Sequence, residues 1–252
     1  MKNLYNRQTH LFAFYHQDFS GKIAQRSSGQ EILIVDADLT HRLTSVLRLA
    51  VGEQLILFDR TMHAIVTIHA IVKHKSLVFI LDEKHKNFIW QPAVEFLLPL
   101  LKRESLETAL YSLSELGITT IRLVITQKSQ QKWTSKDHER AQKIIIAASE
   151  QSKNFAFPEL IQPVPLKQAL QDIPDTHKIF FDPAGKLLKE QLATYTTATS
   201  CMLAIGPEGD LTADEKEMFK ESRFEFIALT PTVLRSSQAA ALGAGIMRSL
   251  IR

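Results

Sequence analysis

The sequence of 252 residues predicts an α/β protein, in which a parallel sheet covered by helices follows a smaller β-rich region. Short apolar or alternating segments dominate the first 90 residues. Apolar strands and amphipathic helices alternate after residue 93, and two of the later strands end in proline turns. Repeated βα units of this kind imply a parallel sheet with both faces covered.

The front region has the pattern of a small antiparallel barrel or sheet. A helix is predicted over 38–48, and Arg60-Thr61-Met62 is predicted as a tight connection. The segment 85–94 carries Pro92 and has no strong period, so we place a domain boundary there. The predicted strands are 11–15, 31–35, 53–58, 63–72 and 76–81.

The back region alternates between strands and helices up to its last residues. Because ligands bind beyond the carboxyl ends of parallel strands, we expect the loops at those ends to carry the function. The strands are predicted at 93–101, 119–126, 177–182, 200–205 and 224–230. The helices are predicted at 104–116, 135–152, 185–195, 212–222 and 236–251.

Composition excludes several classes of protein. No run of eighteen apolar residues occurs, and the start MKNLYNRQTH has no apolar signal segment, so we expect a cytoplasmic protein without a membrane anchor. One cysteine, Cys201 in the apolar run CMLAI, excludes an internal disulfide and predicts a buried core residue. Histidines and carboxylates show no ligand spacing such as H-E-x-x-H, so no metal site is expected.

The net charge of +3 is concentrated in the front region. Residues 1–90 hold 11 Lys and Arg against 8 Asp and Glu, whereas residues 91–252 hold 19 of each kind. Either a solvated face or a surface that binds a polyanion accounts for this excess. Seven of the nine histidines lie in the same region and could add charge at mildly acidic pH, namely His10, His16, His41, His63, His69, His74 and His85.

The stretch 201–219 is the most informative in the chain. A buried strand is predicted to end at Ile205, and the turn Gly206-Pro207-Glu208-Gly209 follows it. Thr212 and Glu215 have the T-x-x-E spacing of a helix capping box. Glycines here let the backbone approach a ligand closely, although an ordinary strand-to-helix turn has the same composition.

The stretch 226–251 repeats this arrangement. A strand is predicted to end at Thr230-Pro231, and Ser236 or Ser237 could cap the helix that follows the loop 231–235. Small residues give that helix a surface which another group must approach, and we expect helix-on-helix packing within the chain or across a dimer. These are Ala239, Ala240, Ala241, Gly243, Ala244 and Gly245.

Both stretches resemble the signatures of a known family. IGPEGDLTADE and LTPTVLRSSQA resemble the IGPEGG-L-T-x-x-E and LGPRILRTETA signatures of the RsmE-type ribosomal RNA methyltransferases of the SPOUT class. HRLTSVLRLAVGEQLILFDR at 41–60 resembles the front-domain pattern of that family. Residues 102–117 and 147–158 resemble its helix ending in E-L-G and its A-x-E-Q-S segment, so the resemblance covers nearly the whole chain.

This resemblance implies a fold and an activity. The fold would be a PUA-like RNA-binding β-barrel at 1–86, followed at 93–252 by a parallel-sheet SPOUT domain with a trefoil knot, acting as a homodimer. The activity would be S-adenosylmethionine-dependent methylation of a uridine at N3 in the 16S RNA of the small ribosomal subunit. The expected cofactor-binding residues are Phe181, Asp182, Ile205, Gly206, Pro207, Glu208, Gly209, Leu229, Thr230, Pro231, Val233, Leu234 and Ser236.

Arg235 is the candidate catalytic residue. As the uridine N3 proton leaves, a fixed guanidinium that contacts O2 or O4 would stabilise the developing anion. An ion pair with a nearby acid such as Glu208 is the structural alternative for Arg235. The candidates for RNA docking are Arg7, Arg42, Arg48, Lys102 and Arg103. Arg42 and Arg48 are six residues apart on the predicted helix and do not share one narrow stripe, so a structural role for one of them is the alternative.

Four positions depart from the family pattern. Asp210 replaces the second glycine of GPEGG, Thr232 replaces the arginine of LGPR, Ser237 replaces the glutamate of TET, and Arg60 follows L-F-D in place of glycine. A degenerate relative that binds RNA or cofactor without methyl transfer therefore stays an alternative. An unrelated nucleotide-binding α/β enzyme is the weakest hypothesis, because no G-x-G-x-x-G or G-x-x-x-x-G-K-[ST] motif occurs.

Overall fold

The computed structural model describes residues 11–72, 75–129, 132–171, 173, 176–191, 195–196 and 198–251. The chain forms two compact units. The first comprises Met1–Phe88 and Glu150–Ala156, and the second comprises Ile89–Ser149 and Phe157–Arg252. The domain limits predicted from the sequence, 1–86 and 93–252, assign the segment Glu150–Ala156 to the second domain, whereas in the structure it belongs to the first unit.

The first unit is built on a five-stranded sheet with the order β1-β3-β4-β5-β2. Strand β1 runs parallel to β3, and the other neighbouring strands are antiparallel. Its strands are β1 Ala13–Tyr15, β2 Glu31–Val35, β3 Gln54–Phe58, β4 Met62–Val72 and β5 Ser76–Lys86. Its helices are α1 Phe19–Ile23 and α2 Ala37–His41, the latter continued by a π-helical turn at Arg42–Val46.

The tight connection predicted between β3 and β4 is confirmed. One carboxylate oxygen of Asp59 accepts hydrogen bonds from the backbone N–H groups of Thr61 and Met62, at 2.8 and 2.9 Å. Asp59 also accepts a hydrogen bond from the N–H of Ser20, at 2.5 Å. These bonds lower the pKa of Asp59 although burial opposes the shift, so this carboxylate stabilises the turn in its charged form.

The segment Glu150–Ala156 completes the core of the first unit. The Phe155 ring lies 4.6 Å from the Phe58 ring, centroid to centroid. Lys153 Nζ donates a hydrogen bond to the carbonyl of Leu11, at 2.5 Å. The front sheet therefore depends on residues that lie far from it in the sequence.

The second unit contains a six-stranded sheet with the order β11-β9-β10-β6-β7-β8, in which every pair is parallel. The predicted α/β class with a parallel sheet is thereby confirmed. The strands are β6 Ala93–Pro99, β7 Thr120–Ile125, β8 Glu159–Pro165, β9 His177–Leu187, β10 Ser200–Ile205 and β11 Glu225–Ala228. The helices are α3 Arg103–Glu115, α4 Ser135–Ser152, α5 Leu166–Gln171, α6 Ala213–Glu221 and α7 Ser236–Leu250.

Three predictions of secondary structure were wrong or incomplete. The helix predicted at 185–195 is wrong for the described residues 185–191, because β9 continues to Leu187 by pairing with β11 and is followed by a 3-10 turn at Leu188–Glu190. Strand β8 and helix α5 were missed. The prolines of ELIQPVP argue against a central strand, but β8 lies at an edge of the sheet, where proline is tolerated.

The small residues of α7 allow close packing on two sides. Helix α3 packs against α7, so the predicted packing between helices is found within the chain. The Phe181 ring is the closer neighbour, since a Cβ atom added at Gly243 would lie 2.2 Å from its Cε2. Gly245 instead faces Leu116, and a Cβ added there would lie 3.6 Å from Leu116 Cδ2.

Cys201 is buried, as predicted, with 1% of its surface exposed. Burial raises the pKa of its thiol to about 12, so the thiol is protonated and is not a nucleophile at neutral pH. None of the described helices combines the length and apolar character needed to span a bilayer. Among the described residues, no three His, Cys, Asp or Glu side chains are grouped so that they could hold a metal ion.

Candidate functional site

The carboxyl ends of β9, β10 and β11 meet at one edge of the parallel sheet. Ile205, the last residue of β10, lies opposite Phe181 of β9. Pairing between β9 and β11 then jumps from Phe180 opposite Phe226 to Lys186 opposite Ile227. The five residues 181–185 therefore leave the ladder with β11, and we call them the β9 excursion.

The turn after β10 is fixed by backbone and side-chain hydrogen bonds. The N–H of Asp210 donates to the Pro207 carbonyl at 3.0 Å, and Asp210 adopts a left-handed φ of 59°. Lys128 Nζ donates to the Gly209 carbonyl at 2.8 Å, and a Glu208 carboxylate oxygen accepts from the N–H of Lys102 at 3.2 Å. We call residues 206–210 the GPEGD turn.

The predicted capping box of α6 is confirmed. The Thr212 hydroxyl accepts a hydrogen bond from the N–H of Glu215, and the Glu215 carboxylate accepts one from the N–H of Thr212 at 2.9 Å. Glu215 is buried, and its other oxygen accepts from the N–H of Gln127 at 2.7 Å. The helix that follows the GPEGD turn is therefore tied to the loop after β7.

The start of α7 differs from its prediction. Arg235 is the N-cap residue, and no side-chain hydrogen bond caps the helix, so the expectation that Ser236 or Ser237 caps it was wrong. Ser236 and Ser237 are the first two residues of the helix, one and two positions after the N-cap, where a side chain does not cap the helix. In the loop before it, the Thr230 hydroxyl donates to the Thr232 carbonyl at 2.7 Å.

The β9 excursion, the GPEGD turn and the loop 229–235 line one open cavity of about 600 Å³. Gly209 and Pro231, two of the expected cofactor residues, are not among its lining residues. Gly209 instead accepts the hydrogen bond from Lys128. The expected residues that line it are Phe181, Asp182, Ile205, Gly206, Pro207, Glu208, Leu229, Thr230, Val233, Leu234, Arg235 and Ser236. The turns singled out in the sequence therefore meet at one cavity beside the carboxyl ends of the strands, and their role in binding a ligand stays a prediction.

Sequence reasoning missed part of the cavity lining. The most consequential omission is Lys216, whose Nζ lies 3.0 Å from Asp182 Oδ2 and 3.0 Å from Asp210 Oδ2. Asp210 had been singled out as a departure from the family pattern, and Lys216 lies one residue after the capping glutamate. The lining residues that had no assigned ligand role are Ser105, Phe180, Pro183, Ala184, Asp210, Lys216, Thr232 and Ala239.

Arg235 lies exposed at the edge of this cavity. Within the part of the chain that the structure describes, its guanidinium has no carboxylate within 4.0 Å. The alternative of an ion pair between Arg235 and Glu208 was therefore wrong. The Glu208 carboxylate instead accepts a hydrogen bond from the backbone N–H of Lys102. A charged guanidinium beside a cavity, with no ion-pair partner among the described residues, is able to contact a bound substrate.

The candidate RNA-docking residues have different surroundings. Arg7 lies outside the described residues. Arg42 donates two hydrogen bonds to Glu150, at 3.1 and 2.6 Å, and its guanidinium lies 5.0 Å from the centre of the Phe14 ring. The hydrogen bond with Glu150 raises the pKa of Arg42. Arg42 therefore has a structural role, in keeping with the expectation that either Arg42 or Arg48 would be structural.

The other three candidates are exposed. Arg48 follows the π-helical turn and adopts a left-handed φ of 57°. Lys102 precedes α3 and is exposed. Arg103 is ion-paired with Asp137 at 3.4 Å and with Glu107 at 3.9 Å.

Two front-region histidines lie in surroundings that oppose the extra charge suggested by the sequence. Burial lowers the pKa of His63, whose ring stacks on His85 with centroids 5.0 Å apart and whose Nδ1 lies 2.7 Å from Asn87 Oδ1. Burial also lowers the pKa of His16. Both rings are therefore harder to protonate than a free imidazole. His10 and His74 lie outside the described residues.

Comparison with known proteins connects this architecture to a family. The family model described as an RNA methyltransferase domain matches residues 90–248. The chain is 26% identical over 206 residues to the ribosomal RNA small subunit methyltransferase E of Rickettsia conorii. That alignment covers 79% of this chain and 82% of the relative.

Solved structures share the fold over nearly the whole chain. A Legionella pneumophila protein in complex with S-adenosylmethionine superposes with a TM-score of 0.83 at 24% identity, covering 96% of this chain and 99% of that one. A ribosomal RNA small subunit methyltransferase E from Neisseria gonorrhoeae, bound to S-adenosylmethionine, superposes with a TM-score of 0.81 at 22% identity. That second match covers 96% of this chain and 98% of the other.

Proposed function

The chain belongs to the RNA methyltransferase domain family, and from this premise we propose that it methylates N3 of a uridine in the 16S RNA of the small ribosomal subunit. The methyl donor would be S-adenosylmethionine. The observation that carries the proposal is the convergence of the β9 excursion, the GPEGD turn and the loop 229–235 on one cavity beside Arg235. The name of the Rickettsia conorii relative supports the choice of small-subunit ribosomal RNA.

The cavity is suited to this cofactor in size and in chemistry. Its volume of about 600 Å³ lies within the range usual for small-molecule sites. Gly206 lines the cavity, and a Cβ atom added there would meet no neighbouring atom closer than 3.7 Å, so packing within the chain does not require glycine at this position. Phe181, Ile205, Leu229 and Leu234 supply apolar surface for an adenine ring.

When bound, S-adenosylmethionine would supply an electrophilic methyl group. The role of the protein would be to hold the target base in line with that methyl group, since positioning provides much of the acceleration in such reactions. Arg235 would then contact a carbonyl oxygen of the uracil and stabilise the negative charge that develops as N3 loses its proton. Because a guanidinium stays charged at every physiological pH, it performs this role without its own protonation equilibrium.

The first unit is proposed as a PUA-like RNA-binding domain. Its support is the positive charge of the front region and the exposed position of Arg48. In the second unit, Lys102 is proposed to contact RNA phosphates. Arg42 is left out of the proposed surface, because Glu150 and Phe14 already hold its guanidinium.

A trefoil knot, a homodimer and a cytoplasmic location complete the proposal. The strand order β11-β9-β10 is compatible with the knot, since the chain leaves β10 and returns on the far side of β9. A Cβ atom added at Gly185 would lie 2.4 Å from the Phe226 carbonyl carbon, which reflects the tight approach of β11 to the β9 excursion. The name of the Rickettsia conorii relative as a ribosomal RNA methyltransferase supports the location.

The test is methyl transfer from labelled S-adenosylmethionine to small-subunit RNA, followed by digestion to nucleosides and chromatography. Naked RNA and assembled small subunits should be compared, with large-subunit RNA as the control. We expect label in 3-methyluridine from the small-subunit substrates alone. Label in a different nucleoside would overturn the assignment to uridine N3, and tight RNA binding without label would favour the degenerate relative.

A further inference from the structure

Three charged side chains form an ion-paired bridge at the cavity, which we call the Lys216 bridge. Lys216 Nζ lies 3.0 Å from Asp182 Oδ2 and 3.0 Å from Asp210 Oδ2. Asp182 belongs to the β9 excursion, Asp210 to the GPEGD turn and Lys216 to helix α6. One side chain thus connects two walls of the same cavity.

Each carboxylate of the bridge also holds its own loop. The second oxygen of Asp182, Oδ1, accepts a hydrogen bond from the N–H of Ala184 at 2.8 Å, inside the β9 excursion. The second oxygen of Asp210 accepts from the N–H of Leu211 at 2.7 Å. Both loops are therefore connected to Lys216 through carboxylates that are themselves fixed to the backbone.

Asp210 adopts a conformation that normally favours glycine. Its φ of 59° is left-handed, a region that is unfavourable for most side chains, although aspartate tolerates it better than most residues. A carboxylate at this position therefore needs compensating contacts. The bond to Leu211 and the ion pair with Lys216 are contacts of this kind.

Asp182 is the member of the bridge that most needs a nearby positive charge. Its side chain is 7% exposed, and a buried carboxylate is unstable without a nearby positive charge. Burial by itself lowers the pKa of Lys216, but its hydrogen bonds to Asp210 and Asp182 outweigh that effect and raise it. Lys216 is thus charged at neutral pH and compensates the buried carboxylate.

We propose that Lys216 is a positioning residue for cofactor binding, which holds the β9 excursion and the GPEGD turn in the arrangement that accepts the methyl donor. This inference rests on the proposed function and adds a residue to it. A cavity with prearranged walls binds without the entropic cost of ordering two loops. Loss of the bridge should therefore weaken cofactor binding and leave the chemical step, which depends on Arg235, largely unchanged.

The test compares Lys216→Met with Lys216→Arg and with Lys220→Met. Lys220 lies on the same helix and pairs with Glu217 at 2.9 Å, but it does not line the cavity, so it is the matched control. Calorimetry with S-adenosylmethionine and methyl-transfer kinetics should be measured for each variant, together with the melting temperature.

We expect Lys216→Met to raise both Kd and KM for the cofactor about 5- to 20-fold, with kcat within about twofold of the unaltered protein. Lys216→Arg should restore binding to within about threefold, because its charge is kept. Lys220→Met should leave all three quantities unchanged. Unchanged cofactor affinity in Lys216→Met would overturn the proposal. So would a fall in kcat and melting temperature that arginine does not rescue.

Asp210→Gly provides a second, independent measurement. Glycine accepts the left-handed conformation without strain, so this variant removes the carboxylate and keeps the turn. We expect it to weaken cofactor binding less than Lys216→Met does, and the double variant to be no weaker than Lys216→Met alone. Fully additive effects would show that the two residues act separately and would contradict the bridge. If the unaltered protein binds no S-adenosylmethionine, the proposed function fails, whereas normal binding in every variant overturns the bridge alone.

Discussion

Arg235 combines an exposed guanidinium with a fixed backbone. It occupies the N-cap position of α7, where its carbonyl accepts a hydrogen bond from the N–H of Ala239 at 2.9 Å, and its exposed side chain lines the cavity. We expect Arg235→Ala to lower kcat about 100- to 1,000-fold, as loss of a donor that stabilises an oxyanion does elsewhere. The measurement is methyl transfer at saturating cofactor and RNA.

The matched variant for this prediction is Arg235→Lys. A lysine keeps the charge but loses the planar set of donors, so we expect only partial recovery of kcat. Cofactor affinity should be unchanged in both variants. Full activity in Arg235→Ala would contradict the catalytic role.

Glu150 is a second residue with a specific structural task. It accepts two hydrogen bonds from Arg42 and one from the N–H of Tyr15 at 3.0 Å. Since the Arg42 side chain is 39% exposed, solvent screens the ion pair, and we expect Glu150→Ala to cost only about 1 to 2 kcal/mol in unfolding free energy. Urea unfolding measures this loss.

Glu217→Ala is the control for Glu150→Ala. Glu217 pairs with Lys220 on an exposed helix face, where ion pairs contribute little. Its loss should change the unfolding free energy by less than about 0.5 kcal/mol. Equal effects of the two substitutions would show that the bonds made by Glu150 do not stabilise the first unit.

At the level of elements, two glycines of α7 should respond to alanine with opposite signs. A Cβ atom at position 243 would lie 2.2 Å from the Phe181 ring, so Gly243→Ala should destabilise the protein by about 1 to 3 kcal/mol and weaken cofactor binding by displacing that ring. A Cβ at position 245 would meet Leu116 at 3.6 Å, an ordinary contact. Gly245→Ala should therefore stabilise the helix by about 0.5 to 1 kcal/mol. Thermal unfolding of both variants checks the pair, and destabilisation by Gly245→Ala would contradict it.

The elements with clear periodicity were predictable from the sequence, whereas at the start of 185–195 pairing between strands overrode the local preference. The capping box of α6 and the turn at Asp59 follow from local chemistry, so short spacings were enough to find them. The segment 185–195 has helix-forming composition, but pairing of Lys186 and Leu187 with β11 makes its start a strand. No local pattern in the sequence reports such a partner, which lies about 40 residues away.

The same contrast applies to the cavity. Its glycine and proline turns could be found because they follow apolar strands directly. Lys216 could not be found in this way, because on a helix surface a lysine is usually solvated. Its role becomes visible only when the fold brings Asp182 to within 3.0 Å of it.

For the whole molecule, the charge distribution predicts RNA binding that depends on salt. Each phosphate contact should contribute about −0.7 to −0.9 to the slope of log K against log salt concentration. Arg48→Gly is the informative variant, because glycine relieves the left-handed backbone and removes one charge. We expect it to maintain or raise stability while it weakens RNA binding and reduces the slope by about one contact.

Filter binding over a series of salt concentrations measures this effect, and thermal unfolding measures stability. Lys75→Ala is a suitable comparison, because this substitution removes one positive charge from the same unit. Lys75 is not one of the candidate RNA-docking residues. An unchanged slope in Arg48→Gly would remove Arg48 from the proposed RNA surface.

The first unit is assembled from two stretches that are 61 residues apart, Met1–Phe88 and Glu150–Ala156. A gene fragment that stops at residue 88 would therefore encode an incomplete module, with Phe58 uncovered and Arg42 without its carboxylate. No single continuous stretch of the gene therefore encodes this module. A DNA segment that holds both stretches necessarily also holds residues 89–149, which belong to the second unit.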